Sequence, residues 1–262
     1  MLNSTRLFQT KPLSGAVLHN RMKTMETVLV KNYLDKNLTY WQKGYDAPHV
    51  ESFIFRTYGR ILKPDFGLSG EKQEKVLDFG CGEGSNLTFF KSKGFRVYGV
   101  DISESDIKRC KQKMSEDSNN FQVISAKPDI NQKFPGNPYD LVIAIQSLYY
   151  LSQTDLIICL DNLYAQMKPG ALIYASMMGT RSHYFQHAQP KEDGLHEVCF
   201  PENHRLQVKD YFMQFVESET QLQTIFQRFK RIHIGYYDAS LREDEGSEFH
   251  FTFLGQKTKE EQ

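Results

Sequence analysis

The sequence predicts an α/β fold in which helices cover both faces of a mostly parallel, doubly wound sheet. Three observations support this. Short apolar strands alternate with helices between residues 75 and 178, a glycine-rich turn follows the first strand, and two apolar strands lie near the end of the chain. Alternating strands and helices form parallel sheets through right-handed crossovers, which place helices on both faces.

The alternation can be followed one element at a time. The predicted strands are short apolar runs, and the predicted helices end near glycine or proline. The strands are 75–79, 95–101, 121–125, 139–146 and 171–178, and the helices are 85–93, 103–114 and 152–167. Ser103 and Asp106 resemble a capping box at the start of the second helix, with Asp replacing the usual Glu.

The two flanks are organised differently. An apolar helical face at 53–62 predicts a helix that ends at Lys63-Pro64, so residues 1–70 are expected to form an N-terminal helical arm. Residues 71–262 are expected to form one domain, with an irregular insert at about 179–216. A helix at 217–229 and an antiparallel pair of strands at 231–237 and 248–255 follow it.

Composition excludes several classes of protein. The 262 residues include 32 basic and 32 acidic side chains, which argues against a nucleic-acid binder with a strongly positive face. The four cysteines contain no C-x-x-C pair, so reduced thiols are expected. No signal-peptide pattern and no apolar run of roughly 18 residues is present, so we expect a cytoplasmic protein without a membrane span.

The most informative segment is Asp78-Phe79-Gly80-Cys81-Gly82-Glu83-Gly84, between the first strand and its helix. Without Cβ atoms, the glycines let the backbone turn sharply and let a ligand approach the main chain. In open α/β sheets, ligands bind at this edge.

Two classes of ligand fit such a loop. Dinucleotide sites favour G-x-G-x-x-G, whereas this loop is G-x-G-x-G with Ser85 where the third glycine would fall. Asp78 would repel a pyrophosphate but could orient the ammonium group of an amino-acid ligand. Asp101, at the end of the second strand, can accept both ribose hydroxyls of either ligand.

Four motifs resemble those of class I S-adenosylmethionine (SAM)-dependent methyltransferases, in the family's order. They are 78–84, Asp101-Ile102-Ser103, Tyr139-Asp140-Leu141-Val142 and Met167-Lys168-Pro169-Gly170-Ala171-Leu172. The resemblance implies a seven-stranded sheet of order 3-2-1-4-5-7-6 with strand 7 antiparallel. It also implies SAM as cofactor and S-adenosylhomocysteine (SAH) as product.

The resemblance also implies positions for the cofactor. Gly80, Cys81 and Gly82 would follow the methionine portion, Asp101 the ribose, Ile102 the adenine, and Gln146 would lie below the sulfonium. The position at which many relatives have an adenine-binding Asp is Lys127 here, so the Ala126 backbone is the expected adenine contact.

Other candidates lie outside these motifs. Trp41 resembles an aromatic segment that folds over the cofactor in related enzymes, so residues 1–70 could form a cap; packing of the N-terminal helix is the alternative. Tyr149 is expected to line the acceptor pocket and Tyr150 to lie in the core. The insert contains histidines at 183, 187, 196 and 204, and His183 is the candidate for the general base that deprotonates the acceptor. Pro190 and Gly194 indicate an irregular segment, so no metal site is predicted.

These features together predict a methyltransferase that acts on an oxygen or nitrogen of a small molecule. The sequence lacks the D-P-P-Y or N-P-P-Y signature of nucleic-acid amino methylation after strand 4. The alternatives are a protein or RNA acceptor, a SAM-binding protein without catalysis, and a nicotinamide-dependent dehydrogenase. A monomer or homodimer is expected.

Overall fold

The computed structural model describes residues 50–204, 211–240, 242–243 and 246–258. In chain order, the strands are β1 (Lys75–Phe79), β2 (Arg96–Asp101), β3 (Phe121–Val123), β4 (Tyr139–Ala144), β5 (Met167–Met178), β6 (Ala188–Pro190), β7 (His196–Val198), β8 (Tyr211–Met213), β9 (Lys230–Tyr237) and β10 (His250–Gln256). The helices are α1 (Ser52–Thr57), α2 (Lys63–Phe66), α3 (Ser85–Ser92), α4 (Glu104–Lys113), α5 (Gln153–Ala165), α6 (His183–Gln186) and α7 (Glu219–Ile225). A π-helical turn spans Tyr58–Leu62, and 3₁₀ turns span Ser115–Asn120 and Leu148–Tyr150.

Seven strands form the main sheet, in the order β3-β2-β1-β4-β5-β10-β9. The first five are parallel to one another, and β10 is antiparallel to both of its neighbours. Because β6–β8 form a separate sheet, β9 and β10 are the sixth and seventh strands of this one. The predicted order 3-2-1-4-5-7-6, with strand 7 antiparallel, is therefore confirmed.

The core lies on both faces of this sheet. The central strands β1 and β4 are buried almost throughout, as parallel strands covered on both faces must be. Phe90 and Ile107 pack beneath one face, and Leu156 and Phe226 pack against the other. Among the described residues, no helix is long and apolar enough to cross a membrane.

The helix before β1 continues past its predicted end. Instead of stopping at Lys63-Pro64, the chain passes through the π-helical turn into α2 and ends at Gly67, whose φ is 67°. Pro64 is tolerated because it lies in the first turn of α2, where its missing N–H is not needed. Residues 1–49 lie outside the described residues, so the arm or cap and the role of Trp41 stay predictions.

The insert after β5 is more regular than predicted. It contains α6 and an antiparallel three-stranded sheet of order β6-β7-β8. Gln214, just after β8, anchors this sheet to the main domain: its backbone N–H donates to Tyr149 O at 2.7 Å and its Nε2 to Leu151 O at 2.6 Å. The prediction of an irregular segment missed these strands because each has only three residues and β6 contains Pro190.

Candidate active site

The glycine loop is a tight turn between β1 and α3. The backbone N–H groups of Gly80 and Cys81 both donate to Val100 O, at 2.8 and 3.1 Å, which ties the loop to the end of β2. Gly80 has a φ of 79°, and a Cβ there would lie 2.4 Å from Ser147 Cβ. A Cβ at Gly82 would meet no atom within 4 Å, so this glycine faces open space. The loop thus packs closely on one side and leaves room for a ligand on the other.

Asp101 is held against the same loop. Its Oδ2 accepts a hydrogen bond from Gly82 N–H at 2.8 Å, and its Oδ1 accepts one from Ser103 N–H at 2.9 Å. Burial raises the pKa of this carboxyl, and the backbone donors act in the opposite direction. The carboxylate is therefore oriented before any ligand arrives, at the edge where a ribose is expected.

Asp78 lies deeper and is incompletely satisfied. The residue is fully buried in β1; Asn86 Nδ2 donates to its Oδ2 at 3.4 Å, and its Oδ1 has no hydrogen-bond partner. Burial, followed by the repulsion from Asp101, holds the pKa of this carboxyl well above its usual range. A buried, unpaired carboxylate oxygen is costly, so this site is suited to receive a cationic donor group.

A cavity adjoins the glycine loop and Asp101, with about 1090 Å³ of space including its open mouth; Asp78 lies behind the loop and does not line the cavity. The predicted residues Gly80, Gly82, Asp101, Ile102, Ala126 and Gln146 all line it. Four of its lining side chains are carboxylates: Glu83, Asp101, Asp106 and Asp129. Within the described part of the chain, no lysine or arginine lines it. Arg109 and Lys113 pair with Glu83 and Asp106 from outside the lining, so Asp101 and Asp129 carry the negative charge that opposes a pyrophosphate.

The far wall of the cavity comes from the loop after β3. Ile102, Ala126 and Asp129 line it, whereas Lys127 is exposed and is not a lining residue. Asn162 on α5 fixes this loop, because its Nδ2 lies 2.7–2.9 Å from the carbonyl oxygens of Asp129, Ile130 and Gln132. Asp129 was missed in the sequence, although it lies only two residues after Lys127.

Gln146 marks the opposite end of the cavity, just beyond β4. It has a φ of 54°, an unfavourable conformation for a residue with a side chain. Its N–H donates to Ser176 Oγ at 2.8 Å, and its Nε2 donates to Tyr237 Oη at 3.1 Å. The strained conformation is thus held by β5 and β9, and such strain is concentrated at functional sites.

Tyr237, which accepts a hydrogen bond from Gln146, belongs to an aromatic stack. Tyr237 stacks on Phe53 at 4.0 Å and on His250 at 4.7 Å between ring centroids. The predicted positions of Tyr149 and Tyr150 are exchanged: Tyr149 is 2% exposed, and Tyr150 lines the cavity. The cause is the 3₁₀ turn, which continues the chain beyond β4 and turns the second tyrosine toward the cavity.

Comparisons with known proteins agree with this geometry. Residues 49–239 match a family model described as a methyltransferase domain. The chain belongs to the methyltransferase-domain family. One relative is a ubiquinone biosynthesis O-methyltransferase of Bradyrhizobium sp., which is 26% identical over 59% of this chain and 63% of its own length. The match therefore spans less than two thirds of that relative.

Solved structures show the same fold. A SAM-dependent methyltransferase of Methanosarcina mazei superposes with a TM-score of 0.60 at 20% identity, over 75% of this chain and 98% of its own. The N-methyltransferase NodS of Bradyrhizobium japonicum, in complex with SAH, gives a TM-score of 0.55 at 15% identity, over 86% and 98%. The fold and the family together identify a class I SAM-dependent methyltransferase.

The residues of this methyltransferase fit SAM. A Cβ at Gly82 would occupy open space beside Asp101, and the cavity has two lining carboxylates that form no ion pair with a described residue. Asp78 Oδ1, behind the loop, is an unpaired acceptor that an ammonium group would satisfy. A dinucleotide fits less well because its pyrophosphate would face the carboxylates of Asp101 and Asp129, and no lysine or arginine of the described residues lines the cavity.

Four of the predicted site residues that the structure describes do not line the cavity: Asp78, Cys81, Tyr149 and His183. The Cys81 side chain points to α4, where a hydrogen bond to Cys110 and burial raise the pKa of its thiol, so only its backbone belongs to the loop face. His183 lies in the insert of the methyltransferase, is not a cavity-lining residue, and faces His187 and His204.

His250 was missed in the sequence altogether. It is 2% exposed at the start of β10, and its Nδ1–H donates to Glu248 O at 2.8 Å, which leaves Nε2 as an acceptor without a partner. Burial lowers the pKa of His250 to about 4, so the ring is neutral. Only the tertiary fold brings it against Tyr149 and Tyr237, and no local motif in the sequence indicates this.

Proposed function

We propose that the enzyme transfers the SAM methyl group to an oxygen or nitrogen atom of a small acceptor. The observation that carries this is that Gln146, held by Tyr237, and Tyr150 both line the cavity, at the end where the methyl group is expected. The insert is anchored beside it through Gln214. Such an enclosed, largely apolar wall suits a small molecule. The two named relatives act as an O- and an N-methyltransferase, which supports both atom types.

The proposal gives each cavity residue a role. Asp78 and the Gly80–Gly82 backbone hold the amino-acid end of the cofactor, Asp101 the ribose, and Ile102, Ala126 and Asp129 the adenine. When bound, SAM supplies an electrophilic methyl group on a sulfonium. Gln146 then lies beside the acceptor, and its fixed position limits the approach to one direction, which favours direct displacement.

Tyr150 forms the acceptor wall in this proposal. Its hydroxyl lies 3.5 Å from that of Tyr149, so Tyr149 acts as a positioning residue behind it. The Tyr150 hydroxyl can hydrogen-bond the acceptor oxygen or nitrogen and so orient it toward the methyl group, while the proton that the acceptor loses passes to water. His183 takes no part in this step.

The cofactor assignment is tested by calorimetry with SAM, SAH and NAD on the full chain. We expect binding of SAM and SAH, and no binding of NAD. The Asp101→Ala variant should weaken SAM binding by about 10-fold or more, since hydrogen bonds to charged groups contribute about 1.5–3 kcal/mol. Asp161→Ala is the matched control because this carboxylate pairs with Arg228 away from the cavity. Binding of NAD but not SAM would refute the proposal.

The acceptor is tested by measuring SAH release with panels of phenols, amines and carboxylates, and with RNA and protein fractions. Turnover with a small molecule that falls in Tyr150→Phe supports the proposal. Turnover only with RNA, weakened by salt as phosphate contacts are, would overturn the small-molecule class while leaving SAM binding intact.

A further inference from the structure

Three histidines of the insert converge at one point. His183 begins α6, His187 follows that helix four residues later, and His204 ends the turn after Pro201. One ring nitrogen from each lies within 4.8 Å of the others, and His183 Nε2 lies 3.1 Å from His204 Nε2. A hydrogen bond between two neutral imidazoles explains why His183 and His204 lie close together, but it does not explain the position of His187.

The cluster is built from several segments that hold it in place. The Phe200 ring stacks on His204 with centroids 4.4 Å apart and lies 4.7 Å from His187 and 5.5 Å from His183. The backbone of Gly246 packs closely against His183, since a Cβ at Gly246 would lie 2.5 Å from His183 Cβ. His183 N–H also donates to Ser247 O at 2.7 Å. The imidazoles are therefore packed against an apolar ring and a backbone.

We propose that His183, His187 and His204 bind one divalent transition-metal ion of the zinc class. Imidazole nitrogens are ordinary ligands of zinc, at about 2.0–2.1 Å, and three such ligands around a tetrahedral ion lie roughly 3.3 Å apart. The observed spacing needs only small side-chain rotations to reach that arrangement. Three neutral nitrogen ligands without carboxylates disfavour Mg²⁺ and Ca²⁺, which prefer oxygen.

The fourth coordination position is open. Among the residues that the structure describes, no further histidine, cysteine or carboxylate joins the cluster. The cluster lies in the insert that follows β5, and none of its three histidines lines the cavity. Bound there, the ion links α6 to the 201–204 turn and so fixes the fold of the insert, whichever acceptor the enzyme uses.

The test is titration of the full chain, without a histidine tag, with Zn²⁺ and with Co²⁺ after treatment with a chelator. The variants are His187→Gln and His204→Gln, each checked for folding by circular dichroism. His233→Gln is the control because His233 is an exposed histidine outside the cluster. Co²⁺ adds an absorption spectrum that reports its coordination geometry.

We expect one Zn²⁺ per chain and a visible Co²⁺ band of four- or five-coordinate type. Either cluster variant should weaken Zn²⁺ binding by about 100-fold or more, since removal of an outer-shell partner alone costs 10–100-fold. The His233→Gln variant should bind as the wild type does. Equal Zn²⁺ affinity in all four proteins, or a six-coordinate aquo-type Co²⁺ spectrum, would overturn the site.

Discussion

At the scale of single residues, Asp78 connects folding to cofactor binding. Its buried Oδ1 has no partner in the free protein, so an ionised carboxylate there opposes folding. In the proposed role, the ammonium group of the bound cofactor would supply the missing partner and turn the same charge into an attraction. Asp78 would then serve binding at the expense of the stability of the empty enzyme.

Replacing Asp78 with Asn should separate these two effects. Because burial raises the pKa of the carboxyl in the folded state, its contribution to stability is lost as pH rises through that pKa. The variant should therefore melt higher than the wild type without ligand, and by a larger margin at pH 8 than at pH 5. SAM binding at pH 8 should weaken by about 10- to 100-fold. Thermal melting and calorimetry measure both, and a lower melting temperature at pH 8 would contradict this account.

The two glycines of the loop should respond differently to alanine. Gly80→Ala places a Cβ 2.4 Å from Ser147 Cβ and should destabilise the whole protein by more than the roughly 1–2 kcal/mol of its left-handed backbone. A Cβ at Gly82 meets no atom within 4 Å, so Gly82→Ala should lower the unfolding free energy by little more than that backbone cost. Its methyl group should project toward the cofactor. Urea unfolding and SAM titration of both variants test this. Equal unfolding free energies would show that Ser147 moves aside.

At the scale of elements, α5 holds in place the loop that forms one wall of the cavity. Asn162 is buried in this helix and brings three carbonyl oxygens of the 129–132 loop together around one amide nitrogen. That loop carries Asp129, which lines the cavity at the end proposed for adenine. The position of the wall therefore depends on a helix on the outer face of the sheet.

Asn162→Ala should loosen the adenine wall. The loop loses its shared donor and several carbonyls lose a partner, so we expect a loss of about 1–3 kcal/mol in unfolding free energy. SAM binding should weaken by up to about tenfold because Asp129 is no longer held in position. Ile157→Ala is the control on the same helix, since Ile157 is 54% exposed. An unchanged SAM affinity in Asn162→Ala would show that the loop is held by other contacts.

At the scale of the whole molecule, His250 makes stability depend on pH. Burial lowers its pKa to about 4 in the folded state, against 6.5 for a free histidine, and Tyr149, Tyr237 and Asp238 face it. The unfolded chain therefore takes up the proton first as pH falls. The contribution of His250 to the unfolding free energy is therefore fully present above pH 6.5. About 3 kcal/mol of it is lost as the pH falls toward 4.

His250→Phe should flatten this dependence. The aromatic ring can keep the stack on Tyr237 but cannot bind a proton, so unfolding free energy should fall less between pH 7 and pH 4.5 than in the wild type. The variant also loses the hydrogen bond to Glu248 O, but this lowers its unfolding free energy equally at pH 7 and pH 4.5. The change between the two pH values is therefore unaffected. Urea unfolding at three pH values provides the measurement. Parallel curves for the two proteins would assign the acid sensitivity to other groups.

Much of the fold could be predicted because its signals are local. Strands β1 to β5 are apolar runs that end at glycines, prolines or polar turns, and Asp78 and Asp101 lie at fixed positions next to the loop. The strand order came from the family resemblance, since alternation alone leaves it open. Helix ends were less accurate, as the continuation past Pro64 shows.

The rest of the site depends on contacts between distant segments. His250 is buried by tertiary packing, and His204 meets His183 across 21 residues, so no periodicity indicates either. The exchange of Tyr149 and Tyr150 depends on a single 3₁₀ turn, which two adjacent tyrosines do not reveal. Strands of three residues in the insert carry too short a pattern to be separated from loop.

The way the insert joins the sheet has an evolutionary consequence. It leaves after Met178 and returns at Val216, and these two points are adjacent: Val216 N–H donates to Met178 O at 2.8 Å, and Gly179 pairs with Val216. A segment whose two junctions touch can be lengthened, shortened or exchanged without moving a strand. If the insert contributes to acceptor choice as proposed, evolution can exchange it as a module without disturbing the strands that come before it in the chain.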